Sequence, residues 1–395
     1  MAGRPGILNA QVTFVRLLFD CTNLARIRVF RKADTAVTLL CSVTTAPSDP
    51  TLTLFPHRFL LNAVLLAGLF GIPVVAQTPR KLVFKQPMMG SVATLQVYTT
   101  DSLAAVRAAG KAFAAADSLH LIFSDYLENS ELSRLSRTAG SGRWVPISPA
   151  LFDILSQSKT AWQVSEGAFD ITVGRLTRLW RRSRNTRRLP PPDTLRRALA
   201  TVGGQYLHLA ENPLRAKLDR PSTVLDLGGI GKGYAAQVML DVLQKEGFPH
   251  ALADASGNMA IGTSPGEGWR IAVQLPSQGL QLIDQQLLLQ NTTIDTSGDL
   301  FQFIEIGGKR YSHILNPKTG LGQISRRQVT VLSTNAAHAD WLATACCLLP
   351  IKKALALVKQ QHAEALILEP VGGASTPYRI QVEMTPGFRR YFANE

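Results

Sequence analysis

Two side chains four residues apart, Asp340 and Thr344, have the spacing of a small metal site. In a helix this spacing places both side-chain oxygens on one face, about one turn apart. A carboxylate and a hydroxyl are hard ligands suited to Mg²⁺, which generally keeps waters and substrate phosphates in its remaining positions. Taken alone, the pair fits an alternative better, in which an acid near a helix start precedes a threonine that hydrogen-bonds into its own turn.

A glycine-rich segment at residues 225–234 is the second candidate for chemistry. An apolar strand ends at Asp226, and four glycines then lead into a predicted helix. Glycine lets the backbone approach a bulky ligand, and the amides at a helix start favour an anion such as a phosphate. The spacing matches neither the dinucleotide fingerprint nor the P-loop, so a plain strand-to-helix turn is the alternative.

Two further segments carry side chains that could act on a ligand. His313 lies near a predicted strand end, because Pro317 and Gly320 indicate a turn just after it. In residues 167–174, Phe169 could pack on a flavin or adenine ring and Asp170 could accept from a base edge. The alternatives are a structural histidine, a core phenylalanine and an acid that caps a turn.

The elements that must position these residues alternate between strands and helices from about residue 81 onward. Apolar spacing and capping residues predict helices at about 101–119, 150–166, 231–245, 338–349 and 351–361. Alternating patterns predict strands at 91–98, 269–275, 293–295, 301–306, 329–332 and 365–368. This succession predicts one α+β or α/β domain over residues 81–395.

The four segments, in this order, resemble the ApbE-type FAD:protein FMN transferase family. The resemblance starts at residues 87–91, continues through residues 130–135 and ends a little beyond Thr344, so it covers roughly residues 81–370. It implies an α+β, T-fold-related domain with a mixed, largely antiparallel sheet and flanking helices. The resemblance places FAD in a cleft between two lobes.

The resemblance also implies a role for each matching position. His313 would be the catalytic residue that helps an acceptor hydroxyl attack. Mg²⁺ would be held by the backbone carbonyl of Gly229 and by the side chains of Asp340 and Thr344. The positions implied to contact FAD are Met89, Tyr126, Ala168, Phe169, Asp170, Asp226, Lys232 and Ile314.

The implied reaction is Mg²⁺-dependent transfer of the FMN half of FAD to a Ser/Thr hydroxyl of an acceptor protein, with release of AMP. The expected acceptor carries a short Ser/Thr-containing motif and is a membrane redox subunit. Two alternatives stay open: a pyrophosphatase of the same fold that cleaves FAD with water, and a non-catalytic exported FAD-binding protein. Two positions depart from the family pattern, because Asn258 and Asn316 replace acids that many relatives carry.

Residues 58–77 have the layout of a secretory signal peptide, with a basic start, an apolar core and a small residue, Ala76, before a polar one. We therefore predict export, to the periplasm or to an anchored position on the outer face of the inner membrane. Residues 1–57 lack coherent periodicity and are interpreted as a non-native or disordered extension.

The net charge of +14 raises the question of nucleic-acid binding, and much of the excess lies between Arg175 and Arg197, where nine arginines meet one acid. No aromatic interleaving accompanies them, so we predict no nucleic-acid partner. Pro190, Pro191 and Pro192 favour a solvated loop, followed by a helix near Asp193, with no role beyond surface. Cys346 and Cys347 lie in an apolar run and are interpreted as packing residues.

Overall fold

The protein is described by a computed structural model over residues 78–273, 285–299, 303–372 and 379–393, and by the backbone of two short strands nearer the amino terminus. The chain divides into two compact units, Met1–Val75 and Ala76–Glu395. In the first, strands β1 (Arg26–Val29) and β2 (Leu39–Ser42) pair antiparallel. The segment predicted as a signal, residues 58–77, lies outside the described residues. Within the described ones, no helix has the length and apolar character needed to span a bilayer.

The second unit contains fifteen further strands and eight α-helices in its described part. The strands are β3 (Arg80–Met88), β4 (Ser91–Thr99), β5 (Val145–Pro146), β6 (Leu207–Ala210), β7 (Arg215–Leu218), β8 (Ala251–Ala255), β9 (Met259–Ile261), β10 (Trp269–Val273), β11 (Gln285–Leu289), β12 (Thr292–Ser297), β13 (Phe303–Ile306), β14 (Lys309–Ser312), β15 (Gln328–Ser333), β16 (Glu364–Val371) and β17 (Arg379–Met384). The helices are α1 (Ser102–Phe123), α2 (Glu131–Arg137), α3 (Pro149–Val164), α4 (Gly174–Thr186), α5 (Pro192–Leu199), α6 (Gly231–Lys245), α7 (Ala336–Leu348) and α8 (Ile351–Gln360).

An eight-stranded sheet forms the centre of this unit, in the order β17-β16-β15-β12-β9-β8-β4-β3. Every pair of neighbours in it is antiparallel. The structure therefore confirms the predicted α+β class and largely antiparallel sheet. A parallel bridge joins Val173 to Val224 outside the named strands.

Helices α1, α6 and α7 pack on one face of this sheet. Because side chains alternate along a strand, each strand contributes to a different apolar cluster on each face. Ala253 and Val331 belong to the cluster on the helix side, whereas Leu252 and Leu332 belong to the cluster on the opposite face. The same alternation places Asp295, which pairs with Val331, on the helix side of the sheet.

Most predicted elements are present, with shifted ends. Asp101 caps α1, its carboxylate accepting from the amide of Ala104 at 2.9 Å, and the helix continues beyond its predicted end to Phe123. Cys346 and Cys347 are buried in α7, which confirms their packing role. Parts of the strands predicted at 269–275 and 301–306 lie outside the described residues.

The prediction of a loop across the arginine-rich stretch is wrong for its first half. Residues 174–186 form α4, and the helix predicted near Asp193 begins at Pro192. The buried residues Leu176, Trp180 and Ser183 recur at helical spacing along α4. This buried stripe is narrow, and the many arginines around it obscured the helical pattern. This stripe joins a third apolar cluster with the β13–β14 hairpin.

Candidate functional site

The glycine-rich turn at residues 225–234 leads into the start of α6. The amide of Asp226 donates to the carbonyl of Ile171 at 2.7 Å, and the amide of Gly228 donates to the Asp226 carboxylate at 2.8 Å. A Cβ on Gly229 would lie 3.2 Å from the Thr344 hydroxyl oxygen and 3.2 Å from the Phe169 ring. The missing side chain therefore lets this backbone rest against Thr344.

Helices α6 and α7 touch at Gly233. A Cβ there would stand 2.2 Å from the carbonyl oxygen of Ala336 and 2.8 Å from the Asp340 Cβ, so only glycine permits the contact. The amide of Gly233 donates to the Asp340 carboxylate at 2.9 Å. This contact brings together the two segments that the sequence analysis linked to phosphate and to metal.

A set of oxygen atoms from α7 and β12 lies at this junction. The hydroxyl oxygens of Thr344 and Ser297 are 3.3 Å apart, and Ser297 donates to the Asp295 carboxylate at 3.4 Å. Asp295 is only 2% exposed and Asp340 only 3%. Two carboxyl groups are thus enclosed near two hydroxyl groups.

The electrostatics of these two carboxyl groups are unfavourable without a cation. Burial raises the pKa of Asp340 to about 6, against the attraction of Lys232 and hydrogen bonds from the backbone of Gly233 and Lys232. Burial, and then repulsion from Asp340, raises the pKa of Asp295 well above its ordinary value, although Lys232 and Ser297 act in the opposite direction. A bound cation would relieve both effects.

The donor set fits Mg²⁺. Asp340 and Thr344 offer a carboxylate and a hydroxyl, and Gly229 brings a peptide group against Thr344. These are oxygen ligands of the kind that Mg²⁺ takes, and the enclosed negative charge calls for a cation. The described residues contain no group of three or more His, Cys, Asp or Glu side chains suited to a metal. Mg²⁺ commonly takes its remaining ligands from waters and phosphate oxygens.

The segment at residues 167–174 packs against the glycine-rich turn. Phe169 is buried between Gly229 and Trp341, with its ring centroid 6.1 Å from that of Trp341. Asp170 accepts from the amide and hydroxyl of Thr172 and from the amide of Gly204. The carboxylate is thus engaged by its own chain, although burial still raises its pKa. Ala168 is buried beside Phe169.

A cluster around Arg181 joins two of the residues implied to contact FAD. Its guanidinium pairs with Asp125 at 2.6 Å, lies 3.9 Å from Asp226 and covers the ring of Tyr126 at 3.8 Å. Tyr126 is 73% exposed, so its other surfaces are accessible to a ligand. Burial, and then repulsion from Asp125, raises the pKa of Asp226. Arg181 therefore has a structural role, and the interpretation of its stretch as plain surface is wrong here.

Met89 lies in the turn between β3 and β4, with a positive φ of 47°. The turn is joined to the β8–β9 turn, because the hydroxyl of Ser91 donates to that of Ser256 at 2.7 Å. Met89 is half-buried and packs against the apolar cluster on the helix side of the sheet, which is the main cluster of this unit.

His313 follows β14 directly, as predicted, and its side chain is exposed. Its neighbour Ile314 is buried in the main cluster, and the amide of Ile314 donates to the Ser312 hydroxyl at 3.0 Å. The next turn is tied to α4, since the indole of Trp180 donates to the carbonyl of Gly320 at 2.8 Å. The segment that carries His313 is thus held from both sides.

The two departures from the family pattern have different structural settings. Asn258 is 2% exposed, and its side-chain oxygen has no hydrogen-bond partner within the part of the chain that the structure describes. Asn316 accepts from the amides of Lys318 and Thr319, which closes the turn after His313. The side-chain amide at position 316 therefore accepts the same turn hydrogen bonds that an aspartate could accept.

The sequence assigned no individual role to Asp295, Ser297, Asp125 or Arg181. For Asp295 and Ser297 a signal was present, since the alternation of residues 293–297 puts both on one face of a strand. An acid on the buried face of a strand is unusual and indicates a site. For Asp125 and Arg181 no sequence signal exists, because the two lie 56 residues apart.

The chain is similar to known proteins over most of its length. The model of the ApbE family matches residues 89–367. An FAD:protein FMN transferase of Klebsiella pneumoniae is 28% identical over 352 residues, which cover 87% of this chain and 99% of the relative. One from Vibrio cholerae is 30% identical over 251 residues, which cover 62% of this chain and 74% of the relative.

Solved structures give the same result for the fold. The apo flavinyl transferase ApbE of Pseudomonas stutzeri superposes with a TM-score of 0.70 at 26% identity, covering 81% of this chain and 99% of that one. The ApbE protein of Thermotoga maritima reaches a TM-score of 0.69 at 23% identity, covering 80% and 100% of the two chains.

Proposed function

The chain belongs to the ApbE family, and we propose that it transfers the FMN half of FAD to a hydroxyl side chain of another protein. The acceptor oxygen would form a bond to the phosphorus of the FMN half, and the bond from that phosphorus to AMP would break. The products are a protein phosphoester of FMN and free AMP. The hydroxyl proton must go to a base during the attack.

The observation that carries this proposal is the convergence of Gly229, Asp340 and Thr344 at the start of α6. A helix start favours a phosphate, and the three residues offer oxygen ligands beside it. When bound there, Mg²⁺ would act as a Lewis acid that neutralises charge on the diphosphate. The protein supplies the position and the orientation of the reacting groups, on which phosphoryl transfer mainly depends.

The remaining residues have proposed roles in binding FAD. Met89 and Tyr126 would lie against the substrate, and Ala168, Phe169 and Asp170 would form the adenine end. Because Asp170 is already bonded to its own chain, its contribution would be to hold this segment in shape. Asp226, Lys232 and Ile314 would complete the nucleotide contacts, with Lys232 adding a positive charge near the phosphates.

His313 is the proposed base. Its exposed position just after β14 leaves the side chain accessible to a partner protein. A neutral imidazole can accept the proton of a hydroxyl. A protein that only stored FAD would not need such a group, which favours transfer over storage.

The proposal is tested by incubating the protein with FAD, Mg²⁺ and a candidate acceptor that carries a short Ser/Thr motif. Flavin fluorescence on the acceptor band of a denaturing gel, with AMP released in equal amount, is the expected result. FMN and AMP without a labelled acceptor would mean hydrolysis of FAD by water. Unchanged FAD would mean a carrier. Membrane redox subunits are the proposed acceptors to test first.

We also propose that the protein is exported, as the signal-like segment at residues 58–77 indicates. The site would then act outside the cytoplasm, in the periplasm or anchored on the outer face of the inner membrane. Mass spectrometry of the native protein tests this. A mature amino terminus near Gln77 is expected after cleavage, and an anchored form would retain residues 58–77. A peptide from residues 1–50 would contradict the interpretation of residues 1–57 as an extension.

A further inference from the structure

Two buried carboxyl groups approach the metal position from different elements. Asp340 comes from α7 and is expected to be a ligand, whereas Asp295 comes from β12 and has no assigned role. Asp295 lies on the helix side of the sheet, because it alternates with Ile294, which belongs to the cluster on the other face. Both side chains are almost fully enclosed.

Hydroxyl groups connect Asp295 to Thr344. Ser297 donates to the Asp295 carboxylate at 3.4 Å, and the Ser297 and Thr344 oxygens are 3.3 Å apart. Beside a bound cation Asp295 would be ionised, and an ionised carboxylate can only accept hydrogen bonds, so it would fix the direction of the chain. Ser297 gives its hydrogen to Asp295, and Thr344 then gives its hydrogen to Ser297. The lone pairs of the Thr344 oxygen remain available to a cation.

The charges around the site do not balance within the protein. Lys232 attracts both carboxylates, but one ammonium group cannot neutralise two of them. Neither carboxylate takes part in an ion pair among the described residues. Buried charge without a partner is costly, and a divalent cation would supply what is missing.

We propose that Asp295 is a positioning residue of the divalent-cation site, which orients the Thr344 hydroxyl through Ser297 and adds a second negative charge beneath the ion. This inference rests on the proposed function, because the ion concerned is the Mg²⁺ that FMN transfer would use. The second charge gives the free protein an affinity for a divalent cation before any nucleotide is bound.

The test measures binding of Mn²⁺ to the full chain by electron paramagnetic resonance, and the rise in melting temperature produced by Mg²⁺. Asp295→Asn keeps the shape of the side chain and removes its charge. Loss of a group that orients a metal ligand typically weakens binding by about 10–100-fold, so we expect a Mn²⁺ affinity lower by that factor. The metal-free variant should melt at least as high as the wild type, since it no longer buries a carboxyl group whose ionisation is unfavourable without a cation.

Asp254→Asn is the matched control. Asp254 is also a partly buried acid attracted by Lys232. However, its carboxylate accepts from the amide of Gly257 and takes no part in the hydrogen bonds of Ser297 and Thr344. Its replacement should leave Mn²⁺ affinity within about twofold of the wild type, because it removes the same charge without touching the hydroxyl chain. Ser297→Ala, which cuts that chain, should weaken Mn²⁺ binding, and its effect should not add to that of Asp295→Asn.

Wild-type Mn²⁺ affinity in a folded Asp295→Asn variant would overturn the inference, as would equal losses in Asp295→Asn and Asp254→Asn. Full affinity in Ser297→Ala would also count against the hydroxyl chain. If Asp340→Asn loses Mn²⁺ while Asp295→Asn retains it, this inference fails and the proposed function stands. If the wild type binds Mn²⁺ and depends on Asp295 but labels no acceptor, the proposed function fails and the site stands.

Discussion

At the scale of single residues, the first turn of α6 favours the ionised form of Asp340, first through the charge of Lys232 and then through backbone amides. The first-turn amides of Gly233 and Lys232 donate to it, and the Lys232 charge attracts it. Burial outweighs these contributions, which is why its pKa rises to about 6. Because its pKa is about 6, the Asp340 carboxyl group can exchange a proton for a cation near physiological pH.

The affinity for Mg²⁺ should therefore fall with acidity. A cation binds the ionised carboxylate, so protons compete with it once the pH drops below about 6, and affinity should fall by about tenfold per pH unit there. The rise in melting temperature with Mg²⁺, measured at pH 7.5 and pH 5, checks this. An equal rise at both values would contradict it.

Without metal, the same group should stabilise the fold as the pH falls. Its pKa is higher in the folded state than in the unfolded chain, so the folded state takes up protons between about pH 6 and pH 4. Burial lowers the pKa of His338, which acts in the opposite direction. Comparison with Asp340→Asn removes the His338 contribution, and the wild type should gain stability relative to this variant on acidification.

His313→Ala should slow the transfer of FMN without abolishing FAD binding. A general base contributes about 10²–10⁴-fold to a rate, and the His313 side chain is exposed. The initial rate of acceptor labelling at saturating FAD gives the first quantity, and the quenching of flavin fluorescence gives the second. Labelling at the wild-type rate would remove His313 from the mechanism.

At the scale of elements, the close approach of α6 and α7 sets the geometry of the site. Their contact at Gly233 leaves no room for a methyl group beside the Ala336 carbonyl. This contact places the first turn of α6 directly against Asp340. The arginine-rich α4 has a comparable role, since Trp180 secures the turn after His313 while Arg181 binds Asp125 beside Tyr126.

Gly233→Ala should destabilise the protein by about 1–3 kcal/mol, because overpacking a tight contact forces the backbone to shift. It should also weaken Mg²⁺ binding, since the amide that orients Asp340 moves. Gly110→Ala in α1 is the control, because a Cβ at that position meets nothing within 4 Å. That change should stabilise the fold by about 0.5–1 kcal/mol. Urea denaturation of both variants distinguishes the outcomes, and equal stabilities would contradict the role of the contact.

At the scale of the whole molecule, all three apolar clusters of the described residues lie within the unit Ala76–Glu395. Two of them occupy opposite faces of the large sheet, and the third joins the β13–β14 hairpin to α4 and α5. The site lies where the helix layer meets the sheet, so the main cluster holds most of its residues in place.

A chain that begins at Ala76 should therefore fold and bind FAD as the full chain does. A unit that has its own core can fold independently, so the melting temperature followed by circular dichroism should stay within about 2 °C. FAD affinity should also be unchanged. A markedly lower melting temperature, or loss of FAD binding, would show that the preceding residues contribute to the fold.

The sequence by itself determined the features that depend on neighbouring residues. Three such features are the spacing of Asp340 and Thr344, the glycines around Gly229 and the turn after His313. Each involves only a few neighbouring positions, so local backbone geometry is sufficient to predict it. The alternation of strands and helices limited the fold class to α+β or α/β. The order of these segments carried the resemblance to a family, and that resemblance implied the α+β class. The loop predicted over α4 failed because its arginines and the prolines after it outweighed a narrow apolar stripe.

Only the tertiary structure decided which distant residues meet. Asp295 reaches the metal position because β12 lies under α7, and Arg181 of α4 reaches Asp125, which follows the end of α1. Such contacts depend on strand order, register and helix packing, which are set by burying apolar surface over the whole chain. No short pattern encodes them, since the residues concerned are separated by tens of positions and share no local geometry.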